Sequence, residues 1–281
     1  IIMVLKSYAK INLSLSIIRK LSNRLHEIQS IYCLVDLYDS IKIKKNNKDF
    51  LDDISFTGTH SKHISKLNNS VSKSLNLLRK NRLISDYYSI KINKRIPVFA
   101  GFGGGSSNAI KVINYLTKNK INKKFFDKMY NELGSDLRLF YHNRGFLKNL
   151  KTIKKINKSY NLYFLLAYPS IKCSTKEVYS KVKKYTKKQD YLDKNFKKKD
   201  DFINYLKNCK NDLQSIVEKK YPKIKNLLKD ISDRKGCYFS RMTGSGSACY
   251  GLFLNKDSSK AALKKLRKRY PKFLILLAKT I

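Results

Sequence analysis

The residues with the clearest chemical capacity form the run Pro97–Asn108, PVFAGFGGGSSN, in which Gly101, Gly103, Gly104 and Gly105 lead into Ser106 and Ser107. Glycine lets successive backbone N–H groups turn toward one point with no Cβ in the way, and a helix start adds unpaired donors and the positive end of its dipole. Behind the loop, Ala109, Ile110, Ile113 and Leu116 recur at helical spacing; ahead of it, Tyr88, Ile90 and Ile92 alternate with polar residues. Strand, glycine-rich loop and helix in that order make an anion cradle, most often for phosphate. Two familiar phosphate loops do not fit these letters. Ser106 follows Gly105 where GxxxxGK[ST] requires lysine. Ser106 also takes the third-glycine place of a GxGxxG frame set on Gly101 and Gly103, and no acidic residue lies between Asn108 and Lys124. The alternative is a surface loop without a function.

Other candidates are scattered along the chain. Arg241–Ser247, RMTGSGS, is a second glycine-rich turn between two short strands, Cys237–Ser240 and Ala248–Leu254, and suits close approach to a ligand or another loop. Lys10 stands just before the alternating residues Ile11, Leu13, Leu15 and Ile17, with Asn12 on its side of the pleat. Such a lysine either finds a partner or sits at an exposed edge. Ser135 and Asp136 follow a helix stop at Gly134; a carboxylate there, beside Leu137, Leu139 and Phe140, is a candidate general base or a helix cap. His26, in the loop Arg24–Gln29, is a ligand hydrogen-bonding group or a surface histidine. His60 and His63 lack a third ligand nearby, so no metal site is expected.

These residues need elements to hold them. Ser30–Leu37 reads as a strand, Asp39-Ser40 as a turn and Ile41–Lys44 as the next strand. Val71, Leu75 and Leu78 mark a helix capped by Asn69 or Ser70, and Phe126, Met129, Tyr130 and Leu133 mark another closed by Gly134. A polar, lysine-rich span, 151–159, separates this half from the buried strand Leu162–Tyr168. Ser174 and Glu177 have capping-box spacing and start a helix that carries Tyr179. Lys181–Lys199 reads as a solvated helix end and loop, followed by a helix at Ile224, Leu227, Leu228 and Ile231. A helix through Ala261, Leu263 and Leu266 and a buried strand Phe273–Ala278 complete a pattern suited to an antiparallel sheet backed by helices.

The 281 residues have room for two domains, and 42% hydrophobic residues suit a globular rather than a disordered chain. Lys and Arg number 61 against 20 Asp and Glu, a net charge of +41. That excess points to an anionic partner, nucleic acid or a phosphorylated small molecule, or to a bias over the whole surface. Abundant Lys, Asn, Ile and Tyr with no Trp, 4 Pro and 11 Gly favour residues with A- and T-rich codons, so bias explains most of the charge. Five scattered cysteines without a CxxC pair fit a reducing compartment rather than a disulfide framework or zinc ribbon. No apolar run approaches the ~20 residues of a membrane span, and a soluble, cytoplasmic protein is expected.

Three segments in order, SYAKINLSL (Ser7–Leu15), PVFAGFGGGSSNA (Pro97–Ala109) and MTGSGSACYGLF (Met242–Phe253), resemble the three motifs of the GHMP small-molecule kinases. AKINL, LHEIQSIYCLVDLYDSI (Leu25–Ile41) and LGSD (Leu133–Asp136) resemble the branch whose acceptor is a cytidine-diphosphate-linked methylerythritol. The resemblance implies an α+β, two-domain architecture with the active site in the interdomain cleft. An N-terminal ATP-binding domain would cover 1-152 and a C-terminal domain 160-281. The implied activity is ATP-dependent phosphorylation of the acceptor's 2-hydroxyl in non-mevalonate isoprenoid precursor biosynthesis.

Residue by residue, Lys10 and Asp136 match the family's catalytic pair, Asp136 taking the proton and Lys10 orienting it and offsetting charge. Pro97, Val98, Phe99, Ala100, Gly101, Phe102, Gly103, Gly104, Gly105, Ser106 and Ser107 would hold ATP, with Mg2+ carried on the nucleotide. Asn12, His26, Thr175, Tyr179, Gly244 and Ser245 match substrate-binding positions, His26 recognising cytosine and Tyr179 stacking on it. Leu25 stands where the family usually has an aromatic, and Arg138 where proline is usual. The implied partner is a small molecule with a cytidine diphosphate group, with neither nucleic acid nor membrane expected. The alternatives are a homoserine- or mevalonate-type GHMP kinase, a degenerate ATP-binding member, or a basic nucleic-acid-binding protein. The last needs charge clustered among aromatics, whereas these lysines are spread along the chain.

Overall fold

A computed structural model of the chain describes residues 3–23, 25–47, 50–62, 64–189, 196 and 198–281; Arg24, His63 and residues 190–195 and 197 of the Lys181–Lys199 stretch lie outside the described residues. The elements begin with strands β1 (Val4–Asn12), β2 (Ser16–Lys20), β3 (His26–Lys45) and β4 (Asp53–Thr57), helix α1 (Ser70–Lys80) and strand β5 (Tyr88–Asn93). Helices α2 (Gly104–Leu116) and α3 (Lys123–Leu133), a 3-10 helix (Ser135–Phe140) and strands β6 (Arg144–Asn149), β7 (Thr152–Lys155) and β8 (Tyr163–Tyr168) follow. The remainder is α4 (Thr175–Ser180), α5 (Lys199–Asn208), α6 (Gln214–Lys220), α7 (Pro222–Ser232), β9 (Cys237–Met242), β10 (Cys249–Phe253), α8 (Lys256–Arg269) and β11 (Leu274–Lys279).

Two compact units are built from separated stretches. The first gathers Ile1–Lys10, Leu37–Val98 and Gly103–Tyr141; the second gathers Ile11–Asp36, Phe99–Phe102 and His142–Ile281. This grouping differs from a division in sequence order near residues 151–159. The reason lies in β3, which runs unbroken for 20 residues and has one half in each unit. Asp39-Ser40 is turn chemistry in isolation. Here, however, the fully buried Asp39 carboxylate accepts from Arg95 N at 2.7 Å and Ile96 N at 2.9 Å, and pairs with the Lys94 ammonium. It ties β3 to the end of β5 instead of closing a turn on itself.

In the first unit β3 runs antiparallel to β5, from Ser40 opposite Asn93 to Lys45 opposite Tyr88, and β5 runs parallel to β4. Ile41, Ile43, Ile90 and Ile92 share one core with Leu75 and Leu78 of α1, Ile110 and Ile113 of α2 and Met129 of α3. Asn69 caps α1 reciprocally: its side chain accepts from Val71 N and Ser72 N while its own N–H donates to Ser72 Oγ. In β1 the strand starts at Val4, earlier than the alternation from Ile11 suggests, so Lys10 lies inside it. Leu13 N and Ser14 N both donate to Ile31 O, a local bulge that ends one run before β2 begins.

The second unit holds an antiparallel sheet in the order β11-β8-β10-β9, with Leu165, Ala167 and Ile275 packed against Ile224, Leu227 and Ile231 of α7 and Leu266 of α8. Beside it, Ser30–Cys33 of β3 pairs antiparallel with β6, which forms a hairpin with β7. That hairpin and helices α5 and α6 carry no strong periodicity in the sequence, and the sequence reading has no counterpart for them.

Lys94 is 2% exposed in its side chain and Asp39 0%; Asn108 Oδ1 accepts from Lys94 at 3.0 Å and Asn108 Nδ2 donates to Asp39 at 3.0 Å. Removing one member strands a buried charge, so Asp39→Ala should lower the unfolding free energy by about 3–5 kcal/mol. Replacing both, as Asp39→Leu with Lys94→Met, should recover part of that loss. Urea denaturation of the single and double variants checks this; a single variant within 1 kcal/mol of the parent, roughly the effect of a surface pair, contradicts it.

Candidate functional site

In the first unit the glycine loop enters α2 at Gly103, whose φ of 70° lies in the left-handed region that glycine adopts without strain. A Cβ there would stand 2.7 Å from Phe140 Cζ and 3.2 Å from Lys10 Cγ, so only glycine lets the loop rest on the stem of Lys10. No side chain caps α2, which leaves its first-turn N–H groups free of a competing side-chain acceptor. The helix starts at Gly104, inside the glycine run, rather than after Ser107. A backbone this close-fitted with an uncapped helix start suits a bound phosphate.

The start of α2 is pinned from below. Ser107 Oγ donates to Tyr8 O at 2.7 Å and accepts from Ser7 Oγ at 2.7 Å, while Asn108 Nδ2 donates to Ser7 Oγ at 2.9 Å. A Cβ on Gly104 would come within 3.3 Å of Lys94 Nζ, which places the buried ion pair directly under the first turn. Ser7, Asp39, Lys94 and Asn108 thus support the loop, a part that nothing in the sequence assigns them. The signal for Asp39 is an acidic residue inside a largely apolar stretch, where Asp-Ser also reads as a turn.

Lys10 is 3% exposed, and Asp136 stands exposed at the start of the 3-10 helix. Burial pulls the Lys10 ammonium below its usual pKa, and the negative charge of Asp136 partly opposes that shift. The structure therefore couples the two groups within one unit. On β1 the residues of the Lys10 face are exposed at Val4 and Lys6 and buried at Lys10 and Asn12.

In the second unit the substrate candidates form three local sets. Asn12 is a strut: its Nδ2 donates to Ser30 Oγ at 2.8 Å and its N–H to Thr243 Oγ1 at 3.0 Å. The rings of His26 and Tyr179 lie 5.3 Å apart at 41°, both half-buried, and burial with the nearby Lys20 charge lowers the His26 pKa. That shift favours the neutral imidazole, which can both donate and accept. Thr175 Oγ1 and Ser245 Oγ share a hydrogen bond of 2.9 Å, next to Gly244 at a φ of 58°. Asn211 Nδ2 holds this turn through Met242 O and Gly244 O, both at 2.8 Å. Gly101 belongs with this set, since a Cβ on it would meet Thr243 O at 2.6 Å. Of the remaining loop positions, Pro97, Ala100 and Phe102 are buried and Phe99 is exposed.

Comparison with known proteins gives one consistent direction. The family description "GHMP kinases C terminal" matches residues 194–272. The 4-diphosphocytidyl-2-C-methyl-D-erythritol kinase of Pelagibacter ubique is 37% identical, the match covering 99% of this chain and 98% of that one. That of Wolbachia sp. subsp. Brugia malayi is 31% identical over 98% of each. Among solved structures, a 4-(cytidine 5'-diphospho)-2C-methyl-D-erythritol kinase superposes with a TM-score of 0.73 at 20% identity, covering 98% of this chain and 99% of its own. Homoserine kinase from Cytophaga hutchinsonii superposes with a TM-score of 0.63 at 16% identity, covering 99% and 95%. At those identities the structures speak for the fold.

A buried lysine carries a stability penalty that follows pH. Because the folded-state pKa of Lys10 lies under 10.5, the penalty is full below that folded value, shrinks as pH rises through it and is gone above 10.5. Lys10→Met keeps a stem against Gly103 and removes the charge. Its melting temperature should exceed the parent's at pH 7, with the gap narrowing as pH approaches 10.5. Thermal scans across that range check this, and a gap that widens with pH contradicts it.

Proposed function

The chain belongs to the 4-diphosphocytidyl-2-C-methyl-D-erythritol kinase family, and from that membership we propose that it transfers the γ-phosphoryl group of ATP to the 2-hydroxyl of that alcohol. It is an ATP-dependent small-molecule kinase serving isoprenoid precursor biosynthesis. The observation that carries the residue assignment is the buried Lys10 beneath Gly103, electrostatically coupled to Asp136 in the same unit.

Asp136 takes the proton from the acceptor hydroxyl as the bond to phosphorus forms. Its exposure keeps it reachable. Lys10 orients that carboxylate and stabilises negative charge on the transferring group; its buried stem, wedged by Gly103, fixes where the ammonium lies. Phosphoryl transfer asks a protein chiefly for such positioning and charge stabilisation. The uncapped N–H groups of Gly104, Gly105 and Ser106 hold phosphate oxygens, with Pro97–Ser107 as the nucleotide loop. Mg2+ enters on the nucleotide, whose phosphates supply several of its ligands.

His26 hydrogen-bonds the cytosine and Tyr179 stacks on it, a role supported by their ring contact. Leu25, 52% exposed, provides an apolar edge where an aromatic would stack. Thr175, Gly244 and Ser245 bind the acceptor's phosphates, and Asn12 serves chiefly by setting Thr243 and the turn that carries them. On this reading 1-152 is the nucleotide-binding part and 160-281 the C-terminal part. The partner is the small cytidine diphosphate ester, and the protein works as a soluble cytoplasmic enzyme. Among the described residues no helix is long and apolar enough to cross a membrane.

Asp136→Asn should lower kcat by about 10²–10⁴, the range for loss of a positioned general base, with little change in the KM for ATP. Steady-state ADP release with the alcohol as acceptor measures it. Turnover near the parent's level removes Asp136 from the mechanism. Competition by cytidine nucleotides against the alcohol separates this reading from homoserine- or mevalonate-type chemistry, which has no use for a cytosine pocket.

A further inference from the structure

Among the described residues five non-glycine positions have a positive φ: Arg82, Phe99, Lys118, Asn119 and Ser170. Arg82, Lys118 and Asn119 lie just past the ends of α1 and α2, where a left-handed residue terminates a helix. Phe99 terminates nothing. Its φ of 59° brings its Cβ too close to the following carbonyl, a strain that L-residues with bulky side chains rarely bear. Nor does burial of the ring compensate, since Phe99 is 59% exposed.

The neighbouring backbone forces the conformation. Ala100 is buried and its carbonyl accepts from Ala248 N at 3.1 Å, and Gly101 is pressed against Thr243 O. The chain thus holds a large aromatic exposed beside a loop whose backbone is fixed on either side of it. The Lys172 ammonium sits 5.8 Å from the centre of that ring. Lys172 is itself exposed and lies three residues before Thr175. Strain of this kind persists at sites where a ligand uses it.

An exposed aromatic face with an ammonium beside it matches one class of ligand, a planar base joined to phosphate. We infer that Phe99 and Lys172 form a nucleobase step, the ring stacking on the base of a bound nucleotide and the ammonium taking a phosphate oxygen. This goes deeper into the nucleotide-dependent reading above and rests on it. Adenine of ATP and cytosine of the acceptor share the chemistry, and binding measurements distinguish them.

The test pairs affinity with stability. Isothermal titration is run with ATP, CDP and inorganic tripolyphosphate against the parent, Phe99→Gly, Phe99→Ala and Phe99→Tyr, alongside melting curves. Phe99→Gly relieves the strain and removes the ring. It should raise the melting temperature by about 2 °C, the scale for a small gain in a chain of this size. The same variant should weaken ATP, CDP or both by roughly tenfold or more, the range for loss of one base–aromatic stack. Tripolyphosphate, which has no base, should bind Phe99→Gly and the parent alike. Phe99→Tyr should keep nucleotide affinity, and Phe99→Ala should lose it without the gain in stability. Unchanged nucleotide affinity in Phe99→Gly, or an equal loss for tripolyphosphate, overturns the inference. Because the readout is binding, failure of the parent to phosphorylate the alcohol with ATP affinity intact sinks the function proposed above and leaves the test of Phe99 decisive.

Discussion

One buried carboxylate sets the geometry on which the first unit depends. Asp39 has two oxygens and four partners: the N–H groups of Arg95 and Ile96, the Lys94 ammonium and the Asn108 amide. Moving a charge out of water is expensive, and it is tolerated only where every oxygen is used. Because the partners come from the end of β5 and from α2, satisfying Asp39 fixes where the chain leaves the sheet and where the helix starts. The glycine loop between those points then has little freedom. Its remaining choice, the left-handed turn at Gly103, seats it on Lys10.

The second glycine turn is governed by the same principle with different residues. Arg241 is buried, and its guanidinium donates to Leu13 O, to Leu206 O at 2.9 Å and to Cys209 O at 2.6 Å. Asn211 completes the hold on Met242 and Gly244. In each case a flexible, glycine-rich segment is fixed by a polar side chain buried beside it. This suits phosphoryl transfer, in which catalysis comes from groups held in place before the substrate arrives. The large positive charge of the chain plays a different part. It is spread over exposed lysines, while Lys10, Lys94 and Arg241 are buried.

What could be read from the sequence was whatever depends on local rules. Helix α1 with its Asn69 cap, α3 closing at Gly134, and the strand–loop–helix around Gly103 follow from periodicity and backbone chemistry within a few residues. The family motifs carried the fold and the kinase class, and they point to Lys10, Asp136 and the glycine loop as the site. Asp39 was not legible because Asp-Ser has the same letters in a turn and in a strand whose carboxylate finds partners 55 to 69 residues away. The burial of Lys10 was hidden for a similar reason: its cover, Gly103 and Phe140, is distant in sequence. Phe99 stood in the sequence only as one position of the glycine loop, since a positive φ on a non-glycine residue has no sequence signature of its own.

The most direct test of the account is analysis of the product by phosphorus NMR after incubation with Mg-ATP and 4-diphosphocytidyl-2-C-methyl-D-erythritol. A new phosphomonoester resonance on the tertiary carbon of the alcohol is expected, growing in step with ADP while the cytidine diphosphate resonances persist. ADP appearing with free phosphate in place of that monoester, or no ADP from protein that binds ATP, would contradict it.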